Sequence, residues 1–423
     1  MGLSVAESHD TVGPTNWSRA QLSELFSFSG GFTASRDQLS ASVGVPYLHY
    51  GDIHGSTKNY INVHDEYLDI PKLDVSLKHI PVSSLLKTGD VVFVDASEDD
   101  NGTSRHIVVL NTHNLPFISG LHTVTAKSKS SKLSNNFRRF CFQSESIKRQ
   151  FKFYAVGTKV SGVSKGNIGK IRLAFPDSLS EQESIAEALT DADAYVESLE
   201  QLLIKKQDLK QGVMQSLLTG KTRLPGFNGD WRRSRLADIS QIDSDNLESA
   251  TKADFTFNYI ALEDVNTGWL NGYSAQTFSS SPSRARRRIR DGDILVSTVR
   301  PNLQSHLLFA IRPGNWVCST GFSVVRCIPN VSSPSYIYAQ IFSDELSRQI
   351  DSLLVGSNYP AINSKDVGNL IVLLPEHSEQ QAIGSVISDM EAEIRAIELM
   401  HDKANAVKQG MMQELLTGKT RLV

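Results

Sequence analysis

No run of apolar residues in this chain approaches the ~18 needed to cross a bilayer. The opening MGLSVAESHDTVGPTNW lacks the basic start and apolar block of a secretion signal. Cysteine is scarce. Cys141, Cys318 and Cys327 are odd in number and far from any Cys-x-x-Cys spacing, which fits reduced residues in the core of a cytoplasmic protein. Catalytic wording is missing as well. No glycine-rich cofactor turn follows a strand, and no His/Cys spacing suits a metal. His49, His54 and His64 lie near one another in sequence but form no ligand pattern, and Asp99-Asp100 reads as part of a solvated loop. GSNYPAIN (Gly356–Asn363) is the nearest approach to the Asn/Asp-Pro-Pro-Tyr stretch of adenine methylation, and it lacks the paired prolines. A self-contained methyltransferase or nuclease is therefore excluded, and neither cofactor nor metal is expected.

What the chain does contain is a phrase written twice. LLTGKTRL stands at Leu217–Leu224 and again at Leu415–Leu422. The GKT triplet suggests a phosphate loop, but that motif needs an earlier glycine where positions 215 and 413 carry Gln, and a strand where the upstream segment looks helical. A helix stop fits better, with Gly220 and Gly418 in the left-handed position just past the last turn. The repeat extends backwards: residues 181–224 align with 379–422 without a gap, 20 identities in 44 positions. Apolar residues recur at Ile185, Leu189, Ala192, Val196, Leu199 and Leu203, matched by Ile383, Ile387, Met390, Ile394, Ile397 and, breaking the stripe, His401. Alternating steps of four and three mark a coiled-coil seam. These segments also hold the excess acid, 5 basic against 9 acidic residues in 177–226 and 5 against 8 in 376–423.

The larger blocks repeat more faintly. Trp17 with Leu22 is echoed by Trp231 with Leu236, VPYLHYGDIHG (Val45–Gly55) by FNYIALEDVNTG (Phe257–Gly268), and KTGDVVF (Lys87–Phe93) by RDGDILV (Arg290–Val296). Each block closes on a short apolar strand ending in proline, at Pro176 and Pro375. Short alternating strands and polar turns predict a compact α+β module. The expected division is 1–176 and 227–375 as modules, with 177–226 and 376–423 as long helices. This is an α+β fold of two similar globular domains separated by two long antiparallel coiled-coil helices, an internal pseudo-two-fold repeat. Such a protein suits a ligand of like symmetry, and duplex DNA offers half-sites about 34 Å apart per turn.

The Trp-x4-Leu start, Tyr50-Gly51-Asp52-Ile53, the Gly-Asp strand and the doubled SEQ…KQGxMQxLLTGKTRL helices resemble the specificity subunit of type I restriction–modification enzymes, over roughly residues 14–423. The resemblance implies that each block is a target recognition domain reading half of an interrupted duplex DNA sequence. It implies helices that set the gap and dock two methyltransferase subunits, with restriction subunits joining, and a chain that is itself non-catalytic. No membrane partner is implied.

Specific binding needs phosphate contacts for affinity and base-edge contacts for choice. The arginines of SRARRRIR (Ser283–Arg290), read as a loop before the turn at Asp291-Gly292, supply Arg284, Arg286, Arg287 and Arg288 for phosphates. The turns after each Gly-Asp strand, 96–106 and 297–305, carry Asn101, Arg105, Arg300, Asn302 and Gln304 as base readers, since Arg suits guanine and Asn or Gln suits adenine. A second pair of loops, 157–165 and 356–365, offers Lys159, Lys165, Asn358 and Tyr359. AKSKSSK (Ala126–Lys132) reads as a solubilising loop. The rival class is a coiled-coil adaptor whose modules bind proteins; unequal loops on a kept scaffold argue against it.

Overall fold

The computed structural model describes residues 14–97, 102–157, 160–310, 312–354 and 360–422. It divides into two compact units, Met1–Leu199 with Met400–Val423, and Glu200–Leu399. Each unit thus joins one module to the beginning of its own long helix and the end of the other.

The two modules are assembled alike. In the first, strand Trp17–Gln21 runs antiparallel to Arg172–Pro176; in the second, Arg232–Arg235 pairs antiparallel with Ile371–Leu374. A one-turn helix follows each opening strand, Leu22–Leu25 and Leu236–Ile239, burying Leu22 and Leu236 completely. The central sheet of the first module has the order Phe26–Gly30, Thr123–Ser128, Val91–Val94, His106–Leu110, Tyr60–Asn62. That of the second has Ser240–Ile242, Phe322–Cys327, Ile294–Ser297, Leu307–Leu308. A further four-stranded sheet completes each module. Two helices then cover the central sheet, Asn135–Cys141 and Glu145–Tyr154, matched by Pro334–Ile341 and Asp344–Leu353. Ser134, Ser144 and Ser343 cap three of these by accepting a hydrogen bond from the third amide of the helix.

The Gly-Asp motif has a local cause. Gly89 and Gly292 take positive φ (86° and 77°), which lets the chain turn before a fully buried strand. The aspartate then closes the turn. Lys87 N donates to Asp90 at 2.9 Å and Arg290 N donates to Asp293 at 2.7 Å. A cation on the adjoining strand pairs with each carboxylate, Lys127 with Asp90 at 3.1 Å and Arg326 with Asp293 at 2.7 Å. This corrects the reading of 126–132 as a solubilising loop: Lys127 is a strand residue holding a half-buried ion pair.

The long helices span Leu179–Leu218 and His377–Leu415. At 1.5 Å per residue each runs close to 60 Å. Both stop as expected: Gly220 and Gly418 adopt φ of 71°. A Cβ on Gly418 would run into Pro14 and Trp17. The start of each stripe does not serve a helix seam alone. Ile185 and Leu189 sink into the first module's core together with Leu415 and Leu416, and Ile383 and Ile387 into the second's with Met214, Leu217 and Leu218. Further along, antiparallel pairing is held by Lys408–Asp193 in the first unit, at 2.5 Å, and Lys210–Glu391 in the second, at 3.1 Å.

The doubled phrase now has a physical explanation. Arg223, in the first LLTGKTRL, clasps Glu379 at the start of the second helix with two 2.6 Å hydrogen bonds. Arg421, in the second copy, clasps Glu181 at the start of the first, and its Nη1 donates to Thr15 O at 2.6 Å. Both carboxylates are 2 % exposed. The neighbouring glutamine anchors the helix start to its module. Gln182 accepts from Ser134 N and donates to the carbonyls of Lys132 and Pro176; Gln380 accepts from Ser333 N and donates to those of Val331 and Pro375. Each repeat therefore ends on a cation for the other's buried acid.

Trp231 Nε1 also donates to Glu379, at 3.1 Å. Arg223→Ala leaves Glu379, 2 % exposed, with only the tryptophan N–H against its charge, whereas Glu379→Ala leaves an arginine 27 % exposed that still reaches water. The expected order of urea midpoints is wild type above Glu379→Ala above Arg223→Ala; a reversed order would show that the buried carboxylate does not depend on the arginine.

Candidate nucleic-acid interface

In the second module the buried strand Ile294–Ser297 leads into the turn expected to read bases. That turn is joined to the other candidate loop. Val299 bridges Ala361, Arg300 N donates to Pro360 O at 2.8 Å, and Ile362 N donates to Thr298 O at 3.0 Å. Arg300 and Gln304 are both left-handed, with φ of 49° and 53°, and flank the single 3-10 turn Pro301–Leu303. Non-glycine residues in that region cost on the order of 1–3 kcal/mol each and persist only where their surroundings impose them. Here Pro301 is buried and His306 forms the anchor, 1 % exposed, accepting from Ser297 N through Nδ1 at 3.0 Å. Its ring meets Phe342 edge-on at 5.5 Å. Arg300 and Asn302 are exposed on this turn, and so is Leu303, at 57 %. Gln304 is half-buried and lines a cavity of about 1050 Å³ shared with Trp269, Tyr338 and Arg395. The hairpin carrying Trp269 braces the turn, because Gly268 N donates to His306 O at 2.9 Å while Arg395 of the second long helix stacks on the Trp269 ring at 3.9 Å.

The first module repeats the plan. Ala96–Ser97 pairs antiparallel with Ser161–Gly162, and Val163 N donates to Asp95 O at 2.8 Å, so its two candidate loops are also joined. His106 is buried against Phe142, ring centroids 5.2 Å apart, as His306 is against Phe342. Arg105 is exposed, and its Nη1 donates to His54 O at 2.7 Å. Lys165, also exposed, opens the helix Lys165–Lys170, which Ser164 caps. Asn101, Lys159, Asn358 and Tyr359 lie outside the described residues. The matched histidines escaped sequence reasoning, although Arg105-His106 and Ser305-His306 stand at the same place in their blocks.

The arginine run is not a loop. Ala285–Arg288 is a strand at the end of the sheet order Ser274–Thr277, Thr256–Ile260, Trp316–Ser319, Ala285–Arg288, with a register shift between Ala285 and Arg287. Two arginines lie over aromatic rings, Arg286 on Phe278 at 5.0 Å and Arg288 on Phe255 at 5.3 Å. Arg284 is exposed. Arg287 differs: its guanidinium is 15 % exposed, pairs with Asp243 at 2.7 Å and donates to Ser364 Oγ at 3.3 Å. Arg290 pairs with Asp245 at 2.6 Å. The sequence showed the cations but not the acids that fold against them.

The three cysteines are free, Cys141 and Cys318 in the cores and Cys327 half-buried, and burial pushes all three thiols up, Cys327 to about 11. Among the described residues no helix is long and apolar enough to cross a membrane.

Two modules, each presenting a joined pair of loops on a repeated scaffold, define a two-module recognition protein. The family model for the type I restriction modification DNA specificity domain matches twice, at residues 14–207 and 228–409. The chain belongs to this family: it is a type I restriction–modification specificity subunit, and its work is recognition of a DNA target. It is 21% identical over 303 residues to the type I restriction enzyme MjaVIII specificity subunit of Methanocaldococcus jannaschii, covering 67% of this chain and 70% of that one. It is 23% identical over 186 residues to the HindI specificity subunit of Haemophilus influenzae, covering 44% of this chain and 40% of the relative. Among solved structures, the type I S subunit from M. genitalium matches with a TM-score of 0.59 at 13% identity, over 95% of this chain and 96% of that one. A chain from a study of complex assembly and conformational transition in the type I R-M system matches with a TM-score of 0.57 at 16% identity, over 96% and 99%. Both support the same fold.

Burial lowers His306 from 6.5 to about 4. Well above pH 6.5 the ring is neutral whether folded or unfolded, and its burial takes nothing from stability through protonation. As pH falls from 6.5 towards 4 the unfolded chain binds the proton and the folded chain does not, so stability is lost, by roughly 3 kcal/mol across that window. Urea midpoints measured between pH 7.5 and 4.5 should fall less steeply for His306→Gln than for wild type. Equal slopes would remove His306 as the cause.

Proposed function

We propose that the chain reads an interrupted duplex target, one half-site per module, and positions two methyltransferase subunits and the restriction subunits on it. It catalyses neither reaction itself and works in the cytoplasm, where its thiols stay reduced. The observation that carries this reading is the joined loop pair, built by the same devices in both modules but bearing different side chains. In the first, Arg105 and Lys165 face solvent; in the second, Arg300 and Asn302 do. A kept scaffold with changed loop residues is what two different half-sites require.

Within this reading Arg300 suits guanine and Asn302 suits adenine. Arg284, Arg286 and Arg288 serve the phosphates, whereas Arg287 is committed to Asp243 and leaves that set. Asn101, Lys159, Asn358 and Tyr359 stay as candidates on sequence grounds alone, and Gln304, half-buried in the lining of its cavity, stays with them. The helices supply the docking surface for partner subunits. Leu202, Ile204 and Leu209 are exposed in the second unit, and Tyr195, Met400 and Val407 in the first, more apolar surface than two solvated helices need.

Mapping methylated adenines in the host with and without this gene tests the reading directly; an unchanged map would sink it. Exchanging residues 1–176 for the equivalent block of a relative should change one half-site and keep the other. A change in both would refute modular reading.

Replacing Arg286 and Arg288 together by Ala should weaken binding to target and scrambled duplex alike, and lower the log–log salt slope by roughly 0.9 per lost contact. Arg300→Ala should instead cost about 1–3 kcal/mol on the target and relax choice in one half-site only. Titrations at several salt concentrations separate the two effects.

A further inference from the structure

We propose that Leu303 contacts the 5-methyl group of a thymine in the major groove of one half-site, and so helps to set specificity. The proposal rests on the DNA-recognition reading above. Leu303 is 57 % exposed at the last position of the turn Pro301–Leu303, next to Asn302 and Gln304.

Three observations lift it above an ordinary surface leucine. It stands between two left-handed residues, Arg300 and Gln304, so the backbone carries strain on both sides of the turn that presents it. The turn is fixed from below: Leu303 N donates to Arg300 O and Gln304 N to Pro301 O, each at 2.9 Å, and His306 N donates to Gln304 O at 2.7 Å. Pro301 and His306 are buried beneath it. The apolar side chain is thus held outward on a rigid support instead of folding back onto the module.

Its neighbours indicate the ligand. Asn and Gln match the N6 and N7 edge of adenine in the major groove, and in that groove thymine is marked by its methyl group, for which an apolar contact is the natural partner. An apolar wedge between base steps belongs to minor-groove binders that kink the duplex. The amide-bearing neighbours favour the groove in which their own pattern can be read.

The test uses the full chain assembled with its methyltransferase partner and a random-sequence duplex library. Wild type should enrich a two-part motif, and Leu303→Asn should enrich the same motif with thymine preference lost at one position in one half-site. On that motif, uracil in place of thymine at this position removes only the methyl. It should weaken wild-type binding about fourfold, the worth of one buried methyl group, and leave Leu303→Asn unaffected. An unchanged thermal midpoint for the variant shows that the fold survives. The inference is overturned if uracil costs both proteins equally, or if Leu303→Asn weakens thymine and uracil duplexes alike, as loss of a wedge would. If wild type enriches no motif, the recognition reading itself fails.

Discussion

A buried arginine–carboxylate clasp, made twice, is the contact on which this architecture depends. Glu181 and Glu379 are almost wholly out of water, and an uncompensated carboxylate there would be costly. Each is neutralised by an arginine from the far end of the other repeat, Arg421 and Arg223. The glutamine beside each acid ties the same helix turn to its module through three hydrogen bonds. Each unit therefore needs segments of both repeats: the first joins Met1–Leu199 to Met400–Val423, and the second is the single stretch Glu200–Leu399 across their junction. That requirement explains why LLTGKTRL and the upstream Ser-Glu-Gln are spelled identically in both repeats, while the modules between them have diverged. Hydrophobic burial supplies the bulk of the cohesion in each core, and the charged pair fixes how a helix end is seated on a helix start, in the same way in both units.

From that fixed base the modules have freedom at their loops. The Gly-Asp turn, its partner cation and the buried histidine set where the loop leaves the sheet, and these groups are largely withdrawn from solvent. The devices differ in detail. His306 takes a hydrogen bond from Ser297 N, while the ring nitrogens of His106 lie near the carbonyls of Ser104 and Arg139. Lys127 is replaced by Arg326. Support is kept and exposed chemistry is changed.

Much of this was legible in the sequence because it is repetitive. The identities between 181–224 and 379–422 gave the helices, their stops and the equivalence of the modules, and helix-stop glycines behave as their position demands. The resemblance carried by the doubled helix ending identified the family. Other features depend on partners distant in sequence. SRARRRIR looked like a solvated loop because the acids that absorb its charge, Asp243 and Asp245, lie some forty residues upstream, and the rings under Arg286 and Arg288 belong to other segments. Leu303 carries no signal in the sequence, because its exposure at 57 % depends on the turn between two left-handed residues. The loops singled out from the sequence are the ones the structure joins in pairs, whereas the side chains those loops release depend on partners distant in sequence.

The joining of the two loops in each module has a consequence for how such proteins change over generations. Thr298–Arg300 and Pro360–Ile362 are some sixty residues apart in the gene, yet they share a short run of backbone hydrogen bonds. Ala96–Ser97 and Ser161–Gly162 are linked likewise. An insertion or a proline in either partner displaces the other, whatever its own side chains are. New binding preferences are therefore inherited most readily as whole modules, exchanged between genes with both loops together, and only slowly one loop at a time.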